Sequence, residues 1–215
     1  MEHITIEEAR EWYQDSDPVH DFDHVLRVYQ MAERLALAEG AHLKIVHAAA
    51  LLHDSRGSAP GGDGEERAEH HVTSARFAGE VLGDKGWPEE AIQAVQHCIL
   101  AHRYRGKEHA PKTLEAKVLF DADKLDVLGA IGIARTIAFA ALEGEPAYAK
   151  PSEQFLKTKK VQNGEVYSSY HEFLFKLANV KDRMFTSSGK AIAEARHAFL
   201  VAFYEQLQAE MRGER

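Results

Sequence analysis

The sequence has little that would cross-link it, span a bilayer or pair strands. One cysteine, Cys98, stands among 215 residues, which excludes an internal disulfide and a cysteine-rich structural zinc site. It lies in the apolar stretch VQHCILAH, where a buried structural thiol in a reducing compartment is expected. No window approaches the roughly 18 apolar residues of a membrane span. The opening MEHITIEEAREWY lacks the basic start and apolar run of a signal peptide, so the expected location is the cytoplasm. Positive charge is in deficit, 26 Lys and Arg against 34 Asp and Glu, a formal charge of −8. That balance argues against nucleic acid or an anionic membrane as partner. Alternating apolar and polar segments, internal repeats and low-complexity tracts are also lacking.

What remains is helical periodicity. Thr5 precedes Glu7 and Glu8 as a helix start, and HDFDHVLRVYQMAERLALAEG repeats apolar residues at three- and four-residue steps until Gly40. AHLKIVHAAALLHD is apolar nearly all round and is expected to be the most buried helix. Beyond a Gly/Pro loop, RAEHHVTSARFAGEVLGDKG and PEEAIQAVQHCILAHR read as helices, the second with Pro88 in its first turn. Residues 113–144 read as two helices, or one kinked near Gly129 and Gly132, and 143–164 as a long loop. Two amphipathic helices follow. The expectation is an all-α fold of roughly eight or nine helices. With 45% hydrophobic residues, it forms one domain over 1–215, its core at about 18–135 and its C-terminal helices at about 165–211 packed on it. Those helices are also compatible with a homodimer.

Histidine is abundant and uneven: of thirteen, eleven fall in the first 109 residues. Four segments carry polar groups inside apolar helices. His20, His24 and Arg27 share one helix face. His53 and Asp54 end the most apolar helix, His102 ends another, and Asp121, Asp123 and Asp126 interrupt a third. A lone buried histidine is commonly a satisfied core residue, but several carboxylates and imidazoles buried together call for a cation. A mixed nitrogen and oxygen donor set suits Mn²⁺, Fe²⁺, Ni²⁺ or Zn²⁺ with positions left for water. Any of the three aspartates fits that description.

HDFDHVLRV, LLHD, ILAHRY, EAKVLFDADKLDVLGAIGIAR and TSSGKAIAEARHAF, in this order, resemble the HD superfamily of metal-dependent phosphohydrolases. More narrowly, they resemble its single-domain bacterial branch, which includes nucleoside triphosphate pyrophosphohydrolases. The resemblance implies metal ligands at His24, His53, Asp54 and Asp123, the last because the family pattern Asp, base, Leu falls on DKL. It also implies His20 and Asp21 behind His24, and Mn²⁺ as the favoured ion with Mg²⁺, Ni²⁺, Fe²⁺ or Zn²⁺ as others. The implied reaction is attack of metal-activated water on a nucleotide-type phosphate ester or anhydride. His102 and then Asp126 are the expected acid/base groups, with one tightly held metal. Arg27, Lys124 and Arg103 are expected to meet the phosphate. Arg56 and the glycine-rich loop are expected to form a wall of the pocket, and Lys157, Lys159 and Lys160 to be solvated. His70, His71 and His97 are expected to be structural or exposed. The rival is a regulatory nucleotide-binding or metal-stabilised interaction module without turnover, against which all four ligand residues are present.

Overall fold

The computed structural model describes residues 2–13, 22–56, 64–105 and 108–214, with backbone alone for 64–69. Among them are ten α-helices, two short 3-10 helices and no strand. The helices are α1 (Ile6–Arg10), α2 (Phe22–Glu39), α3 (Leu43–Leu52), α4 (Gly64–Asp84), α5 (Glu89–Ala101), α6 (Leu114–Leu125), α7 (Gly129–Leu142), α8 (Glu153–Thr158), α9 (Ser169–Phe175) and α10 (Ser187–Met211). They build two compact units, Met1–Asp123 with Phe185–Gly189, and Lys124–Met184 with Lys190–Arg215.

In the first unit α3 is central. Ile45, Val46 and the run Ala48–Leu52 are all buried, and α2, α4 and α5 pack around them. The nearly all-round apolar pattern accounts for this, since only Lys44 in its first turn is exposed to water. α2 contributes Val25, Val28, Ala32 and Leu35, all fully buried. It stops at Gly40, whose φ of 78° belongs to the left-handed region where glycine meets no Cβ penalty. Thr5 caps α1 by accepting from Glu8 N at 3.1 Å. Pro88 is the cap of α5 rather than a member of its first turn.

Asp121 resolves one of the three ambiguous aspartates. Its fully buried carboxylate accepts from Phe185 N (2.9 Å), Thr186 N (2.8 Å) and Thr186 Oγ1 (2.6 Å). The buried charge is thereby hydrogen-bonded at both oxygens, and Phe185–Gly189 is fixed to α6.

In the second unit the apolar run breaks after α6, as Gly129 and Gly132 suggested. Gly129 has a φ of 68°, and a Cβ on Gly132 would collide with Val127 O. The expected loop 143–164 is interrupted by α8, which Ser152 caps by accepting from Phe155 N at 3.0 Å. Pro, Gly and Lys around this turn concealed it, although its Phe155 is fully buried. Glu165 anchors the stretch, accepting from Ser152 N at 2.7 Å, Ser152 Oγ at 3.0 Å and Gln162 N at 2.9 Å. The first expected C-terminal helix splits into α9 and a 3-10 turn over Leu177–Arg183. In α10 Tyr204 is fully buried and stacks on Phe173 at 4.5 Å.

Asp121→Asn would turn an amide N–H₂ toward buried donors. A loss of about 3 kcal/mol is expected, read as a lower urea midpoint at unchanged slope. The N–H groups of Gln162 and Ser152 pull Glu165 from its ordinary 4.5 to about 2. Its contribution is therefore complete above pH 4.5 and lost as pH falls toward 2. Glu165→Gln should flatten the acid limb of a stability–pH profile in that window and leave its neutral limb lower but parallel.

Candidate metal centre

The site is assembled from helix ends. His53 follows the last residue of α3, and His102 follows that of α5. Each ring turns back on its own helix by the same bond: His53 Nδ1 lies 2.8 Å from Ala50 O and His102 Nδ1 lies 2.5 Å from Ile99 O. A carbonyl only accepts, so each Nδ1 carries the proton and each Nε2 presents a lone pair. The same bonds satisfy carbonyls near the helix ends, so the rings are locked by local structure. α2 adds His24 and α6 adds Asp123. His24, His53 and His102 are all buried.

The nitrogens and carboxylate oxygens converge. His24 Nε2 stands 3.4 Å from His53 Nε2, 3.5 Å from Asp123 Oδ1 and 3.8 Å from Asp54 Oδ2, and His53 Nε2 stands 3.5 Å from Asp54 Oδ2. Asp54 Oδ1 faces the other way, 3.2 Å from His70 Nε2 and 3.3 Å from His102 Nε2. Two sets of donors, each within 4.8 Å of one another, result: His24, His53 and Asp123, and Asp54, His70 and His102. Despite its two close imidazoles, buried Asp54 Oδ1 makes no hydrogen bond of acceptable geometry among the described residues.

Lone pairs of His53 and His102 aimed at a carboxylate repel unless positive charge lies between them. Two donors each about 2.1 Å from one ion stand about 3.0–3.4 Å apart, so the spacing of the first set suits a divalent cation. Burial lowers His102 despite the opposing pull of Asp54, which favours the neutral ring.

Asp126 belongs to the second unit and forms a 2.6 Å ion pair with Arg135, a structural partner the sequence reading did not assign. Lys124 opens that unit beside Asp123, and Lys157, Lys159 and Lys160 lie in it. Arg27 lies one turn beyond His24 on α2. Arg103 donates to His70 Nδ1 at 2.9 Å. Arg56 stacks on Phe77 at 3.5 Å. His20, Asp21 and the glycines at 57, 61 and 62 lie outside the described residues. His97 Nε2 accepts from Lys112 N at 3.1 Å, apart from the cluster. His70, read from sequence as structural or exposed, instead joins the cluster. The signal was the inward stripe of α4, where Ser74 and Ala78 at four-residue steps from His70 are both fully buried.

Residues 21–128 match the model of the HD domain family. The chain belongs to that family. All six cluster residues lie inside the matched HD domain. YpgQ of Bacillus subtilis, an uncharacterized protein, is 33% identical over 96% of this chain and 94% of its own. A crystal structure of YpgQ in complex with ADP superposes with a TM-score of 0.74 at 29% identity, over 98% of this chain and all of that one. An HD-superfamily hydrolase from Bacillus thuringiensis gives a TM-score of 0.71 at 30% identity, over 96% and 94% of the two chains. HD domains bind divalent metals, and the cluster here has the donors to do so.

A ligand that binds only the folded state stabilises it by about 2.7 kcal/mol at 100 times its Kd. Mn²⁺ at that excess should raise Tm by about 5–10 °C. Asp123→Asn should abolish the shift while leaving the metal-free Tm within a few degrees, as differential scanning calorimetry would show.

Proposed function

We propose that this HD domain is a divalent-metal-dependent phosphohydrolase acting on a nucleotide-type phosphate ester or anhydride, with (d)NTP pyrophosphate release as the specific reaction. The observation that carries the reading is the convergence of His24, His53, Asp54 and Asp123 donor atoms, 3.4–3.8 Å apart. These four residues would hold the ion. When bound, a divalent ion there supplies Lewis acidity that activates water near neutral pH and neutralises charge on phosphoryl oxygens. Mn²⁺ is the favoured ion.

The chain's own residues do the rest. Ala50 O and Ile99 O fix the His53 and His102 rings, so no reorganisation is needed when substrate arrives. Neutral His102 offers a nitrogen that accepts a proton or a hydrogen bond more readily than it gives one. Arg27, a turn beyond His24, supplies positive charge for a phosphoryl oxygen. Asp126 is assigned to Arg135 rather than to chemistry. ADP in the related YpgQ crystal supports a nucleotide as the ligand class.

The test is a panel of nucleoside mono-, di- and triphosphates and simple phosphate esters assayed with Mn²⁺, Mg²⁺ and Ni²⁺. Phosphate or pyrophosphate release is expected, falling at least about 100-fold in Asp123→Asn. Nucleotide and metal binding with no release from any member would establish the non-catalytic binding module instead.

A further inference from the structure

The second set of donors, Asp54 Oδ1 with His70 and His102, has the outline of another metal pocket. Its chemistry differs from the first at one atom. Arg103 Nη1 lies 2.9 Å from His70 Nδ1. A guanidinium has five donors and no acceptor, so His70 Nδ1 must be the acceptor. The other ring nitrogen then carries the proton. His70 therefore turns an Nε2–H, not a lone pair, toward Asp54, whereas His53 and His102 hold the opposite tautomer through Ala50 O and Ile99 O. A metal takes the neutral nitrogen's lone pair, and here that lone pair is engaged by Arg103.

We propose that Arg103 is a positioning residue that keeps this centre mononuclear, by locking His70 in the tautomer that cannot ligate. The proposal rests on the metal reading of the first set. His70 is thereby a fixed N–H donor at the edge of that set, matched to a phosphoryl oxygen rather than to a cation. Without Arg103 the ring is able to move its proton to Nδ1, and Asp54 Oδ1, His102 and His70 become three converging donors.

Mn²⁺ binding by equilibrium dialysis with elemental analysis reads this directly. Expected stoichiometries are one ion per chain for the unmodified protein and two for Arg103→Met, which keeps the apolar stem and removes the donors. Affinity at the second position should rise about 10- to 100-fold in that variant, the usual effect of a group behind a ligand. The double variant Arg103→Met, His70→Gln should return to one. Two ions in the unmodified protein, or one in Arg103→Met, overturns the lock and leaves the first metal set standing. No ion in any form overturns the metal reading, and the lock with it. Should Arg103→Met not fold, long-range ¹H–¹⁵N correlation spectra of the unmodified protein loaded with diamagnetic Zn²⁺ decide. An Nε2–H signature for His70 beside Nδ1–H for His53 and His102 upholds the proposal, and Nδ1–H at His70 refutes it.

Discussion

Asp54 sets the terms for the first unit. Its two oxygens point in opposite directions into imidazoles, and two of the rings, His53 and His102, bring lone pairs rather than protons. Such an arrangement is unfavourable in a folded chain without positive charge to reconcile it. Everything nearby serves to maintain it. The last five residues of α3, Ala48–Leu52, are all buried, so packing holds its end and the residue after it inherits that rigidity. α5 ends in the same way, with a ring folded back on the carbonyl three residues earlier. The helices provide position, and the backbone carbonyls choose which nitrogen is bare.

How much of this was written in the sequence depends on how local each cause is. His53 and Asp54 were legible because two polar residues end an otherwise apolar helix, and helix periodicity alone located α2, α3, α5 and α10. The choice among three aspartates was not locally legible. Asp121 is occupied by donors 64 and 65 residues away, and Asp126 by Arg135, nine residues on. Family resemblance pointed to Asp123; the packing shows how the other two are employed. α8 was hidden because Pro and Gly on either side read as loop, while its stabilisation comes from Ser152 and the distant Glu165.

His70 shows a different limit. Its place in the cluster was recoverable from the small buried residues that follow it along α4, yet its chemistry was not. Whether an imidazole ligates or donates is decided by the atom behind it. Here that atom sits on Arg103, 33 residues later and just past the end of another helix. A histidine count identifies a region, whereas the partner of the far nitrogen identifies a function.

The bond between Asp121 and Thr186 has a bearing on modularity. The HD match ends at residue 128, which looks like a place to cut a gene. The carboxylate two positions before Asp123 is nonetheless satisfied by Phe185 and Thr186, which belong to the first unit while their flanking residues belong to the second. A fragment trimmed at the family boundary would carry a buried aspartate with none of those donors, beside a proposed ligand. The inherited block and the block that folds are therefore different objects, and recombination at the former's edge would be selected against by the latter.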